Sequence, residues 1–156
     1  MIQRAERKVA VANAVQQIDL PAGFSIRPWT AESITTIQEL SSAEGWPTPS
    51  SRSAETLAAW NASWPAIVLT QNEKVIGFLR ALSDGHLTTY ISEVLVASSY
   101  RGLGLGAALV ETCHLLCRDA RIDLLSTGSA DGFYKAKGFR PFQGFRKSYG
   151  VSFIQP

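Results

Sequence analysis

The chain has 156 residues, of which 46% are hydrophobic and 18% charged, and its formal net charge is +2. This length predicts one domain that needs no disulfide or structural metal, and the scattered basic residues give no indication of nucleic-acid binding. No apolar run reaches the ~18 residues of a membrane span, and the start lacks a signal segment, so a cytoplasmic protein is expected. The two cysteines, Cys113 and Cys117, are expected to be buried free thiols rather than metal ligands.

The first half of the chain predicts an extension followed by alternating strands and helices. Residues 1–20 show weak periodicity and are expected to form a loosely held N-terminal extension, partly helical at most, before a domain at 21–156. Prolines in the segment 45–49 separate two helices, because proline cannot continue a helix. The predicted elements are a strand at 24–29, helices at 31–42 and 53–63, and strands at 66–70 and 75–82 around a turn at 71–74.

The second half predicts a long strand, a glycine-rich turn and a helix, and then shorter elements. These are a strand at 86–96, a helix at 105–119, a strand at 122–126, a helix at 131–137 that ends at Gly138, and strands near 140–147 and 149–154. Together they indicate a single α/β or α+β domain, with a mixed sheet and helices on both faces.

The glycine-rich turn Tyr100-Arg101-Gly102-Leu103-Gly104-Leu105-Gly106 is the most informative stretch. Glycines allow close backbone approach, and a helix N-terminus offers free N–H groups, so the turn predicts a phosphate or pyrophosphate site. The turn matches the dinucleotide fingerprint G-x-G-x-x-G/A, but the rest of the chain is too short to complete a doubly wound sheet. A P-loop is excluded because no Gly-Lys-Ser/Thr follows.

A second match is more specific. Arg101-x-x-Gly104-x-Gly106 resembles the acyl-CoA-binding motif R/Q-x-x-G-x-G/A of the GCN5-related N-acetyltransferases (GNAT), and the segment 133–139 resembles their F-Y-x-x-x-G-F segment. The segments Val75-Ile76-Gly77 and Ser25-Ile26-Arg27-Pro28 also resemble strands of that family, so the resemblance covers about residues 24–150. It implies a mostly antiparallel sheet of six to seven strands, splayed between its two central strands.

The resemblance implies acetyl-CoA as co-substrate, with no metal. It assigns cofactor binding to two segments and two further residues: Val94, Leu95 and Val96; Arg101, Gly102, Leu103, Gly104, Leu105, Gly106 and Ala107; Thr127, which stands where many members have Asn; and Tyr134. The side chain of Arg101 either contacts phosphate or shapes the loop.

Two residues are the candidates for proton transfer. Glu93 would accept the amine proton, and Tyr134 would donate a proton or hydrogen bond to the leaving thiolate. The structural alternatives are a solvated strand residue for Glu93 and a core tyrosine for Tyr134. No Ser-His-Asp or Cys-His set is evident, and the resemblance to the GNAT family implies direct transfer.

The acceptor is predicted to be a primary amine of a small molecule. The resemblance implies an acceptor pocket built from the first two helices, their loop and the last hairpin. Trp46, Glu44 and Phe142 are the candidate contacts there, since aromatic walls and a carboxylate suit an amine. The order of motifs resembles small bacterial members similar to aralkylamine acetyltransferases. Three alternatives stay open: a peptide or protein amine as acceptor, a non-catalytic acyl-CoA-binding module, and a nicotinamide or flavin oxidoreductase. A homodimer is a further option by analogy with the family.

Overall fold

A computed structural model describes residues 4–147. The chain falls into two compact units, residues 1–124 and 125–156, which are described separately. The described part of the first unit contains one sheet in which the strands follow chain order: β1 (Phe24–Pro28), β2 (Ala66–Gln71), β3 (Lys74–Ser83), β4 (Thr88–Val96) and β5 (Arg121–Leu124). The pairs from β1 to β4 are antiparallel and β5 runs parallel to β4, so the sheet is mixed and mostly antiparallel, as predicted.

The described residues form six α-helices. Five belong to the first unit: α1 (Arg4–Val15), α2 (Ile34–Ala43), α3 (Thr48–Ser51), α4 (Ser53–Ala62) and α5 (Leu105–Leu116). The second unit contains α6 (Asp131–Ala136), which follows a 3₁₀ turn at Gly128–Ala130 and ends before Gly138, whose φ is +83°. That left-handed conformation is the one that glycine adopts most readily after a helix.

Helices cover both faces of the sheet in the first unit. On one face, Ile37 of α2 and Trp60 of α4 share a buried cluster with Val68, Phe78 and Leu95. The ring of Trp60 lies 5.5 Å from that of Phe78, edge to face. Side chains alternate between the faces of a strand, so the buried neighbours of Val68 and Phe78 point to the opposite face. Helix α5 contacts β2, β3 and β4, and α1 contacts α5 and β1.

A β-bulge changes the register of the central hairpin. Ala81 pairs with Ile91, but Arg80 pairs with Glu93, so Ser92 is an extra residue on β4. The register at the turn end of the hairpin would otherwise place Ser92 opposite Arg80. A bulge of this kind re-aims the side chains beyond it, and here it brings Glu93 opposite Arg80.

The prediction of six to seven strands was wrong for the described residues, which contain five. Residues 140–147, predicted to form a strand, have no regular secondary structure, and the predicted strand at 149–154 lies outside the described residues. The proline-containing segment also forms a short helix, α3, because Pro49 lies in its first turn, where proline is tolerated.

The N-terminal extension includes a packed helix. Helix α1 buries Val11 and Ala14, and the guanidinium of Arg7 lies 5.0 Å from the centre of the Trp64 ring. This cation–π contact and the two buried side chains attach α1 to the rest of the first unit. The domain boundary at residue 21 stays a prediction.

Candidate active site

The loop before α5 presents an uninterrupted row of backbone donors. Gly102 and Gly104 have φ of +82° and +78°, and nothing lies within 4 Å of the Cβ position of either. The first backbone bond of the helix runs from the N–H of Ala108 to the carbonyl of Gly104, at 3.0 Å. Within residues 4–147, the six N–H groups of residues 102–107 have no hydrogen-bond acceptor. Such a row at a helix N-terminus suits an anionic group.

Arg101 is held by two partners of the protein itself. Its Nε donates a 3.0 Å hydrogen bond to the carbonyl of Val96, and its Nη2 lies 2.5 Å from Oε1 of Glu44. These contacts join the end of β4 and the end of α2 to the loop. Of the two roles considered for Arg101, the geometry therefore favours shaping the loop, although half of the side chain stays exposed.

The end of β4 leaves one backbone edge open. The pairing of β4 with β5 stops at Ile91 and Leu124. On that side of β4, β5 therefore does not cover residues 92–96. The carbonyl of Leu95 points towards Gly77 of β3, whereas that of Val96 bonds to Arg101. Backbone N–H and carbonyl groups point to alternate sides along a strand, so those of Val94 and Val96 face the open edge.

Glu93 lies in an ion pair at the bulge. Its Oε1 lies 3.0 Å from Nη2 of Arg80, and the two side chains are 25% and 14% exposed. The Nη1 of Arg80 donates a 3.1 Å hydrogen bond to Oγ of Ser63, whose own hydroxyl donates to the carbonyl of Ala59. Among the described residues, Oε2 of Glu93 has no partner, so this oxygen is available to a substrate or a water.

This ion pair lines a pocket of about 350 Å³ between the α3–α4 segment and the sheet. Its lining consists of Thr48, Pro49, Arg52, Glu55, Thr56, Ala59, Trp60, Arg80 and Glu93. Of the residues proposed for the site from sequence, Glu93 alone belongs to this lining. In the sequence, Arg80 is the one charged residue of the otherwise apolar strand 75–82, and this feature could have indicated a functional role.

Two of the residues predicted to contact the acceptor, Glu44 and Trp46, do not belong to this lining. Glu44 forms an ion pair with Arg101. The backbone N–H of Trp46 donates a hydrogen bond to the carbonyl of Ser41. Phe142 belongs to the second unit and is 84% exposed. The Cζ atom of Arg140 lies 5.7 Å from the centre of the Phe142 ring. Their contact with an acceptor stays a prediction.

The second unit holds Tyr134 between two aromatic rings. The rings of Phe133 and Phe139 lie 5.0 and 5.5 Å from it, both edge to face. Burial raises the pKa of Tyr134 above its usual value, which keeps the hydroxyl protonated at neutral pH. Thr127 Oγ1 lies 3.3 Å from Oγ of Ser129.

The thiols do not offer a nucleophile. Cys113 and Cys117 are both buried, and burial raises the pKa of the Cys113 thiol. A thiol held in its neutral form is a poor nucleophile. In residues 4–147, no cluster of three or more His, Cys, Asp or Glu side chains could hold a metal ion, and no helix is long and apolar enough to cross a membrane.

A comparison with protein families decides the class. The model of the acetyltransferase (GNAT) domain matches residues 63–141, which include β2 to β5, the glycine loop and Tyr134. The chain belongs to the GNAT acetyltransferase domain family. The matched range covers Arg80, Glu93 and the row of unpaired N–H groups, whereas Glu44 and the α3–α4 side of the pocket precede it.

Known proteins resemble this GNAT domain over different lengths. The GCN5-related N-acetyltransferase 2 of Arabidopsis thaliana chloroplasts is 43% identical over 72 residues, covering 44% of this chain and 28% of the relative. The histone acetyltransferase TAP1 of Glycine max is 39% identical over 72 residues, covering 44% and 31%. The matches thus span about a third of these relatives' length.

A solved structure matches nearly the whole length of both chains. A Deinococcus radiodurans protein, provisionally assigned as an acetyltransferase, superposes with a TM-score of 0.67 at 26% identity, over 85% of this chain and 92% of the other. The mixed sheet with helices on both faces is thus the α+β fold of the GNAT family.

Proposed function

We propose that the protein is an acetyl-CoA-dependent N-acetyltransferase that moves an acetyl group directly to the primary amine of a small molecule. One observation carries the proposal: a row of unpaired N–H groups at residues 102–107 follows the open edge of β4 along the chain. Glu93, which lines the pocket, lies on the same strand just before Val94. An anion-binding loop, an edge for an extended amide chain and a carboxylate thus follow one another along the chain.

The cofactor-binding residues fit acetyl-CoA group by group. The six free N–H groups suit the pyrophosphate, since they bind an anion without ordering any side chain. The open edge at Val94 and the N–H of Val96 suits the amides of the pantetheine arm, which would pair as an added strand, while the carbonyl of Val96 stays bonded to Arg101. Bound acetyl-CoA supplies the acetyl thioester. A backbone N–H of this edge would donate to the thioester carbonyl and stabilise the charge that develops there.

Glu93 is the proposed proton acceptor. Only a neutral amine attacks a thioester, and a carboxylate can take the proton directly or through a water. Oε1 of Glu93 is engaged by Arg80, which leaves Oε2 for this role. As the nitrogen–carbon bond forms and the carbon–sulfur bond breaks, the amine proton passes to this carboxylate or to a water beside it.

Tyr134 is the proposed donor to the leaving thiolate. Its hydroxyl stays protonated at neutral pH, and it has no hydrogen-bond partner among residues 4–147. A phenol that keeps its proton can donate it, or a hydrogen bond, to the sulfur that leaves.

Calorimetric titration with acetyl-CoA, CoA and NADH tests the cofactor, and thiol release with a panel of amines tests the transfer. Micromolar binding of acetyl-CoA but not NADH, followed by amine-dependent thiol release, supports the proposal. Glu93→Gln is expected to change the pH profile of kcat, whereas Glu111→Gln, an exposed site on α5, leaves it unaltered. Absence of acetyl-CoA binding would refute the proposal.

Two alternatives predict different results in the same assays. The name of the Glycine max relative favours a protein amine as acceptor; peptides would then be acetylated and free small amines would not. The pocket of about 350 Å³ has room for a small amine. A non-catalytic acyl-CoA-binding module would bind acetyl-CoA and release no thiol with any amine. The similarity to aralkylamine-type members remains part of this proposal and favours an aromatic amine in the panel.

A further inference from the structure

The pocket beside Glu93 carries balanced charge. Its lining has two cationic side chains, Arg52 and Arg80, and two anionic ones, Glu55 and Glu93. A pocket for a simple monoamine needs carboxylates or aromatic faces, because a guanidinium repels a nearby ammonium. Arginine in the wall is favourable when the ligand brings an anionic group of its own.

Arg80 has donors to spare for such a group. A guanidinium carries five N–H donors, of which one bonds to Ser63 and one to Glu93. Its Nε is buried and has no partner among the described residues. The side chain is only 14% exposed, so each unused donor costs more free energy than it would in water. A carboxylate in the pocket that accepts from the two unused Nη N–H groups would satisfy them, whereas the fully buried Nε lies out of its reach.

The spacing of the charges indicates where the anionic group lies on the acceptor. The cation and the anion of the Arg80–Glu93 pair are 3.0 Å apart. An amine placed against Oε2 of Glu93 therefore has its neighbouring carbon substituents next to Arg80. A carboxylate on the carbon that bears the amine reaches the guanidinium, whereas one at the far end of a long chain does not.

We infer that the acceptor is an α-amino acid, bound with its amine at Glu93 and its carboxylate at Arg80. This inference rests on the proposed N-acetyltransferase function. In the transfer, the amine nitrogen forms its bond to the acetyl carbon, the carbon–sulfur bond of the thioester breaks, and the amine proton leaves towards Glu93. The carboxylate does not react; it places the amine and offsets the charge of Arg80.

The experiment compares matched acceptors. The full-length protein is assayed for acetyl-CoA-dependent thiol release with the twenty amino acids, and each acceptor found is compared with its amide and its decarboxylated amine, such as phenylalanine with phenylalaninamide and phenethylamine. We expect kcat/KM to favour the free acid by roughly 10- to 100-fold, the range for a charged hydrogen-bonded contact.

Variants of Arg80 identify the residue responsible. Arg80→Met should bring the ratio of kcat/KM for acid over decarboxylated amine close to one, and Arg80→Lys should keep part of the preference because it keeps the charge. Arg27→Met, which removes an arginine from β1, should leave the ratio unaltered. A preserved ratio in Arg80→Met would overturn the inference.

The outcomes separate this inference from the proposed function. Transfer to decarboxylated amines with equal or greater kcat/KM, or to none of the twenty amino acids, overturns the inference and leaves N-acetyl transfer standing. Binding of acetyl-CoA with no thiol release for any amine refutes the proposed function, and the inference with it.

Discussion

Oε1 of Glu44 lies 2.5 Å from Nη2 of Arg101, so the end of α2 is joined to the loop that presents six free N–H groups. Arg101 also donates to the carbonyl of Val96. Three segments that are separate in sequence thus meet at one guanidinium, and the shape of the glycine loop depends on a residue at the end of α2.

Glu44→Gln is therefore expected to weaken acetyl-CoA binding. The pair is partly exposed, with side chains 52% and 26% accessible, so its loss should raise the Kd for acetyl-CoA only about 2- to 5-fold. Calorimetric titration measures the change. Glu39→Gln removes the same charge from an exposed site on α2 and should leave the Kd unaltered. A raised KM for the amine with an unaltered Kd for acetyl-CoA would instead support the acceptor role predicted from sequence.

Gly104→Asp is expected to abolish acetyl-CoA binding. Gly104 has φ of +78° and open space around its Cβ position, so a carboxylate there would stand among the N–H groups proposed for the pyrophosphate. Gly23→Asp is the matched control, because Gly23 also has a positive φ, +86°, and an open Cβ position. Both variants carry a similar backbone cost of ~1 kcal/mol. Retained affinity in Gly104→Asp would show that the loop does not bind the cofactor.

Gly77→Ala is expected to destabilise the central hairpin. A Cβ at this position would lie 2.7 Å from the carbonyl oxygen of Leu95 on β4, and backbone cannot move aside as a side chain can. Overpacking of this kind costs about 1–3 kcal/mol of unfolding free energy, which denaturant titration measures. Gly128→Ala, where no atom lies within 4 Å of the Cβ position, should leave the midpoint nearly unaltered.

Tyr134→Phe is expected to lower kcat by a factor of about 100 or more, the usual contribution of a general acid, with little change in the Kd for acetyl-CoA. Because burial raises the pKa of Tyr134, its titration should not appear as a fall in rate at neutral or mildly alkaline pH. Tyr100→Phe removes a hydroxyl but keeps the ring that packs 6.2 Å from Phe24, so its kcat should match the parent. Equal kcat in both variants would remove the acid role from Tyr134.

Asp84 makes the turn between β3 and β4 sensitive to acid. Its Oδ1 accepts hydrogen bonds from the N–H groups of Thr88, His86 and Leu87, which lower its pKa from 3.8 to about 2. The stabilisation by this carboxylate is complete above pH 3.8 and is lost as the pH falls towards 2. Asp84→Asn should therefore be less stable than the parent at pH 7, and the difference should shrink below pH 4. A difference independent of pH in thermal unfolding would contradict this account.

Local chemistry allowed much of the first unit to be predicted. Residues 66–69 of β2 are buried and apolar, and the turn after the strand has Asn72 and Glu73 at positive φ, as a two-residue hairpin requires. The helix at 105–116 begins directly after Gly104, which has a left-handed φ, and it ends three residues earlier than predicted. The strand predicted at 140–147 did not form. Phe142 and Phe145 of this segment are exposed, so no packing surface selects the extended conformation.

Sequence alone specifies the glycine loop, because its glycines and the helix that follows determine the backbone conformation from neighbours along the chain. It also places Glu93 on the long strand, just before residues 94–96. Only the tertiary structure decides that Arg80 pairs with Glu93 and that α3 and α4 complete their pocket. That pairing depends on one extra residue, Ser92, in the register of two strands, and a shift of one residue would put a different side chain opposite Arg80.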